Sequence, residues 1–296
     1  VDCHTHLVNA GGMCGTFADR CRLVEEISEG DLRSRVKAEL ELMLRLGTTT
    51  VEIKTGYATS AAAIVKCLGA VPVRPGVVLT EMSPLADSSR ARWTLAHQPR
   101  FVDALCDGDG LSVEQLREPL HAMRVLESRV KLHVCVTGPG DGVPLALEMN
   151  AVSVEHLLYS SQRDITLLGK SNTIAVLLPA MAYFSRAGRF APARALLDAG
   201  ATIALATDSN PGDSPTHSMP FVIHLAVREM KMTAEEALMA ATIHAARAIC
   251  EDHRVGSLAS GKDADIVVLA ADDYRELPLA MGSNLVTQVF RGGIKQ

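Results

Sequence analysis

The stretch Val1-Asp2-Cys3-His4-Thr5-His6-Leu7-Val8 decides how the chain is read. It is an apolar, strand-like run that carries two histidines in a His-x-His pair. Side chains two apart in a strand point to the same face, so His4 and His6 can reach one ion. Two more candidates end runs of the same kind. His133 closes Val130-Lys131-Leu132-His133, and Asp208 closes Thr202-Ile203-Ala204-Leu205-Ala206-Thr207-Asp208. Imidazole nitrogens and a carboxylate supplied by several strand ends are what a catalytic Zn²⁺ or iron ion with an open position requires. A lone buried histidine is usually a satisfied core residue, but donors at several strand ends do not fit that reading.

Working outward, strand-like runs recur along the chain at Val1–Val8, Thr49–Lys54, Pro75–Thr80, Phe101–Leu105, Val130–Val136, Ala151–Leu157, Thr173–Leu178 and Thr202–Thr207. Most are nearly all apolar, the expectation for parallel strands covered on both faces. Helical patterns fall between and after them. Leu32–Leu46 repeats apolar residues near a 3.6 period, and Ser112–Glu127 starts at a capping serine. Pro192–Ala199 stops at Gly200, and Met219–Met230 and Ala234–Cys250 follow, the latter opened by Thr233 with Glu236 three residues on. Eight strands alternating with helices predict an α/β fold, a (β/α)₈ TIM-type barrel over residues 1–250. A doubly wound sheet is the alternative, but it would not gather side chains from the first, fifth and eighth strands around one point. After Cys250 the texture turns to short strands and turns, so residues 251–296 read as a segment of a small β-domain. Two or three strands alone are marginal and must pack on the barrel or pair with other strands.

The 296 residues carry a net charge of −5, with 48% hydrophobic and 21% charged residues. No basic field points to nucleic acid or anionic lipid. No apolar run reaches the roughly 18 residues needed to span a membrane. The seven cysteines are scattered without a C-x-x-C and read as reduced cytosolic thiols. Cys135, two residues after His133 in the run Val130–Val136, shares that strand face and is a minor candidate to approach the metal. His97, His121, His217, His224, His244 and His253 lie in helical or loop contexts and read as packing or surface residues.

Several segments together resemble the amidohydrolase superfamily and, within it, the imidazolonepropionase family. They are Asp2-Cys3-His4-Thr5-His6-Leu7-Val8, Thr49-Thr50-Val51-Glu52-Ile53-Lys54-Thr55-Gly56-Tyr57, Val130-Lys131-Leu132-His133, Ala206-Thr207-Asp208-Ser209-Asn210-Pro211-Gly212 and Val255-Gly256-Ser257-Leu258. Phe101–Cys106, Ala175–Pro179 and Tyr274–Pro278 narrow the assignment. The resemblance implies a barrel with a β-sandwich built from both chain ends, of which the N-terminal half is absent here. It implies one Zn²⁺ or Fe³⁺ (Fe²⁺) per chain, held by His4, His6, His133 and Asp208, in a cytoplasmic homodimer. It implies hydrolysis of a small molecule, 4-imidazolone-5-propanoate, to N-formimidoyl-L-glutamate in histidine degradation. Asp208 and His156 would be catalytic, Asp208 moving a proton and His156 meeting the substrate or its oxyanion. Tyr57, His156, Asn210 and Gly212 would contact substrate. Other readings are a second metal ligand for His156, a surface tyrosine for Tyr57 and a turn residue for Asn210.

Three positions depart from the family pattern. Met13 stands where the family has a carboxylate-binding arginine; Arg20, seven residues later, could replace it only if the loop folds back. Glu81 stands near a substrate-facing histidine's place, and Val136 replaces a Glu or Gln that assists the attacking water. These changes also suit an amidohydrolase of another cyclic amide or amidine, or a catalytically weakened metal-binding homologue.

Overall fold

The computed structural model describes residues 1–11, 16–82, 99–108, 110–125 and 127–296. At its centre are seven parallel strands in chain order: β1 (Val51–Lys54), β2 (Val77–Met82), β3 (Phe101–Cys106), β4 (Arg129–Val134), β5 (Ser153–His156), β6 (Ile174–Leu177) and β7 (Ile203–Leu205). The run Val1–Val8, expected as a further strand, forms two isolated bridges, Asp2 to Val51 and Thr5 to Ser209. Its residues alternate between two neighbours instead of laddering with one. The Glu52 and Lys54 amides donate to the Asp2 and Thr5 carbonyls at 2.8 and 2.9 Å, and the Asp208 and His6 amides bond the His4 and Ser209 carbonyls at 3.1 and 2.9 Å. The segment therefore joins both edges of the curled sheet, and His4 and His6 stand between its first and last strands.

The expectation that most strands are nearly all apolar is corrected on one face of the sheet. Residues paired across parallel strands share a face, and Lys54 pairs with Thr80, Asp103 with Lys131, and His133 with Glu155. With Glu52 these form an inner face that is charged and fully buried. The alternate residues Ala104, Leu132, Val134, Val154, Leu177 and Leu205 point outward and share one core with Leu116, Leu120, Val143, Leu168, Leu196 and Val222 of the surrounding helices. Period-2 alternation holds, but its polar half lies on the inner face of the curled sheet.

Local signals explain the helices. α1 (Phe17–Glu26) opens on a Thr16–Asp19 capping box. α2 (Glu29–Arg45), capped by Ser28, buries Leu32, Val36, Leu40 and Met43. The expected helix Ala234–Cys250 is two, Ala234–Ala241 and Ile243–Ala248. Thr242 breaks it at φ −123°, ψ −91°, with its hydroxyl bonded back to the Leu238 carbonyl at 2.7 Å. At the C-terminus β8 (Ile266–Leu269), β9 (Val286–Arg291) and β10 (Ile294–Lys295) form one antiparallel sheet. A second layer that would make it a sandwich is not among the described residues. Asn284 ties this sheet to the end of α2 through the Arg45 carbonyl at 3.2 Å.

Candidate metal centre

His4, His6 and Asp208 converge where the N-terminal segment meets the end of β7. His4 Nε2 lies 3.2 Å from His6 Nε2, and Asp208 Oδ1 lies 3.3 and 3.5 Å from these two nitrogens. His133 and His156 bring ring nitrogens into a second group with His4, whose donor atoms all lie within 4.8 Å of one another. Every one of these side chains is buried. Loop ends aim several of them: Asp208 and His156 take positive φ, 54° and 76°, a conformation that ends the strand and turns the side chain over its rim. Cys135 also has positive φ, 53°, after β4 has ended at Val134, and it belongs to none of the candidate metal groups among the described residues. Gly56 gives His6 its room, because a Cβ there would sit 2.6 Å from the imidazole Nδ1.

Buried carboxylates stand behind two of the imidazoles, one of them in a hydrogen bond to His133. His4 Nδ1 is 2.5 Å from Glu155 Oε2, and His133 Nδ1 is 3.0 Å from Asp103 Oδ1. An Nδ1–H that donates to a carboxylate leaves Nε2 as a bare lone pair. The Nε2 atoms of His4 and His6 and an Asp208 carboxylate oxygen face one another at 3.2–3.5 Å, and His133 Nε2 has no hydrogen-bond partner. Imidazole nitrogens and a carboxylate that converge in one buried space are the donor chemistry of a metal site, and these residues fit an ion. Burial pushes the Asp208 carboxyl up to about 8 and the His6 imidazole down to about 3, and holds His4 and His156 well below the ordinary histidine value. Burial also lowers His133, but the Asp103 carboxylate more than restores it.

The remaining candidates ring this cluster. Tyr57 is 5% exposed, not a surface residue, and its ring centroid lies 6.0 Å from that of His6. Burial raises its phenol far above neutrality, so it is a proton donor there. Asn210 has committed its side chain to the loop. Its Nδ2 donates to the Asp208 carbonyl at 2.7 Å, and its Oδ1 accepts from the Gly212 and Asp213 amides at 2.9 and 2.7 Å. That is an Asx turn, and it matches the turn reading of Asn210. Gly212 is closed off by Arg20, whose Nη1 lies 2.0 Å from where a Cβ would be.

Arg20 is therefore at the site, as its position required of a loop that folds back. Its guanidinium stands 5.8 Å from the Tyr57 ring centroid, its Nε is buried without a partner, and its ion pair is a long 3.5 Å contact to Asp213. The Thr16–Asp19 capping box, visible in the sequence, is the signal that starts α1 and places Arg20 in its first turn. Met13 lies outside the described residues. Glu81 is buried on β2, and Val136 sits in a loop held by Asp107, whose Oδ2 accepts from the Val136 and Thr137 amides at 2.5 and 2.6 Å. Sequence reasoning missed Asp103, Glu155 and Lys54, the buried groups behind the imidazoles. His217, His224 and His244 lie away from the cluster, bonded to Glu39, to the Pro278 carbonyl and to the Ile203 carbonyl, and His97 lies outside the described residues.

Comparison with known proteins places this geometry. Residues 141–294 match the Amidohydrolase family. Imidazolonepropionase of Chloroflexus aggregans is 34% identical, the match covering 99% of this chain and 80% of the relative. The Mycolicibacterium smegmatis imidazolonepropionase is 37% identical, over 99% and 81%. Among solved structures, A. niger ochratoxinase superposes with a TM-score of 0.77 at 18% identity, covering 99% of this chain and 81% of that one. A zinc-bound adenosine deaminase from Xanthomonas campestris gives 0.72 at 18%, over 99% and 78%. At such identities the structures speak for the fold.

Proposed function

The chain belongs to the imidazolonepropionase family of amidohydrolases, and we propose on that premise which residues of this chain perform the family's reaction. The enzyme hydrolyses the cyclic amide of 4-imidazolone-5-propanoate, giving N-formimidoyl-L-glutamate in histidine degradation. His4, His6, His133 and Asp208 hold one metal ion, Zn²⁺ or iron. The observation that carries this assignment is the meeting of His4 Nε2, His6 Nε2 and Asp208 Oδ1 within 3.5 Å in a buried space. When bound, the ion lowers the pKa of a water toward neutrality and polarises the ring carbonyl.

The geometry supports the following reading of the protein side of the reaction. Asp208 takes the proton of the attacking water as its oxygen bonds to the amide carbon. It returns that proton to the ring nitrogen as the C–N bond breaks, so the ring opens with one water added. His156, beside His4 and His133, stabilises the tetrahedral oxygen. Tyr57 donates to the substrate, and the Gly212 segment frames it with backbone. Arg20 supplies the cation for the propanoate carboxylate, a role its buried, partnerless Nε and weak Asp213 contact leave open. That cation favours an anionic substrate over the neutral cyclic amides that Met13 and Glu81 would suit. The finer architecture in this reading is a (β/α)₈ barrel over 1–250 with a sandwich segment at 251–296, working as a cytoplasmic homodimer. No helix among the described residues is long and apolar enough to cross a membrane.

The test is direct. Purified, metal-loaded protein consumes imidazolonepropionate with loss of the ring's ultraviolet absorbance. Turnover only with neutral cyclic amides would move the substrate assignment, and turnover with neither would leave a metal-binding homologue.

A further inference from the structure

Behind the imidazoles lies a closed set of side chains that no catalytic step uses. Lys54 on β1 places Nζ 2.5 Å from Asp103 Oδ2 on β3, 3.0 Å from Glu155 Oε2 on β5 and 3.5 Å from Glu52 Oε1. All four side chains are fully buried, so water cannot replace any partner. The Asp103 contact is a hydrogen bond, and the Glu155 and Glu52 carboxylates complete the negative charge around the ammonium. Two of those carboxylates are the ones that hold the metal-facing rings. Asp103 offers its other oxygen to His133 Nδ1, and the same Glu155 oxygen that meets Lys54 meets His4 Nδ1 at 2.5 Å.

We propose that Lys54 is a positioning residue for the metal centre: it clamps Asp103 and Glu155 as fixed acceptors and so holds both His4 and His133 as Nδ1–H tautomers with Nε2 facing the ion. The proposal rests on the metal assignment above. Without the ammonium, the two carboxylates face each other inside the barrel with no cation between them. They repel and turn away, the rings lose their acceptors, and either imidazole is free to carry its proton on Nε2, where it occupies the lone pair a ligand needs. The clamp also couples the two rings, because one ammonium serves both acceptors.

Lys131 is the internal control. It is equally buried and contacts Glu52 Oε2 at 2.7 Å and the other Glu155 oxygen at 3.6 Å; although Asp103 is its cross-strand neighbour, its ammonium forms no ion pair with that carboxylate among the described residues. Replacing either lysine leaves uncompensated carboxylates in the core, but of the two only Lys54 forms ion pairs with both carboxylates that stand behind the rings.

Zn²⁺ dissociation constants measured by chelator competition, together with melting of the apo-proteins, separate the two. Lys54→Met is expected to weaken Zn²⁺ binding by about 10–100-fold, the usual effect of losing an outer-shell partner. Lys131→Met is expected to lower the melting temperature comparably while Zn²⁺ affinity stays within about threefold. Unchanged affinity in Lys54→Met, or equal losses in both variants, overturns the proposal. Should the methionine variants not fold, the ring-nitrogen NMR of the apo wild type decides: Nδ1–H on both His4 and His133 supports the clamp, and Nε2–H on either sinks it. Wild type that binds no Zn²⁺ defeats the metal assignment instead, and the tautomer measurement still reads the clamp.

Discussion

The two faces of one sheet are built on opposite principles. Outward, Leu132, Val134, Val154 and Leu177 pack against helices in a continuous apolar core. This face is non-directional and tolerant: residues of similar volume can replace one another at modest cost. Inward, Glu52, Lys54, Asp103, Lys131 and Glu155 form ion pairs with no exposed surface. Such pairs gain little net stability because desolvation offsets their attraction, yet removing one partner is costly. What they supply is direction. Lys54 is held well above its usual pKa: burial opposes its charge, but Asp103, Glu155 and Glu52 outweigh that. Glu155 is held well below its own by His4 and the lysines despite burial. The outer face supplies packing against the helices, and the inner face sets fixed charges behind the imidazoles.

That division can be broken at graded points. The largest effect is expected from His4→Ala with His6→Ala at the inner rim: elemental analysis should fall from about one metal per chain to none, with activity lost. Retention of metal would refute the site. On the outer face, Leu132→Ala should cost about 2–5 kcal/mol in denaturant unfolding, while kcat of the folded fraction stays near wild type; a loss of kcat larger than the loss of folded protein would show that the faces are not independent. At the site's mouth, Arg20→Gln should raise KM for imidazolonepropionate by about 10–100-fold, as one charge-assisted hydrogen bond of about 1.5–3 kcal/mol implies. An unchanged KM would take the carboxylate away from Arg20. Smallest is Arg194→Ala on the helical surface, where the bidentate pair to Glu236 at 3.1 Å is partly exposed. Its loss should cost less than about 1 kcal/mol, and a larger shift in melting would mean that the helix layer depends on ion pairs as the inner face does.

How much of this was legible in the sequence varies by element. Strand positions were read well, because apolar runs bounded by turns are a local signal: β4 was expected at Val130–Val136 and lies at Arg129–Val134. The first strand was read as a ladder and is a pair of bridges, since the two neighbours it joins lie about 50 and 200 residues away. Short helices such as Gly142–Glu148 and Pro179–Phe184 were not anticipated, because two turns are too few for a periodic pattern to stand out. The inner face did leave a trace. Glu52 and Lys54 in Val-Glu-Ile-Lys, Asp103 in Val-Asp-Ala, and Glu155 beside His156 are charges at alternate positions in otherwise apolar strands. Their mutual pairing left none, because hydrogen-bond geometry between strands is not written along any one of them.

The sequence by itself determined the parts: strands by their apolar runs, helix starts by their caps, and the candidate donors His4, His6, His133 and Asp208 by their residue types at strand ends. Only the tertiary structure decided what those parts do to one another. It placed Arg20 over Tyr57, turned Asn210 into a loop brace, and set Lys54 between the carboxylates behind two imidazoles. The physical reason is that propensity and alternation act over a few residues, whereas orientation of a buried charged group depends on partners brought together by the closure of the sheet.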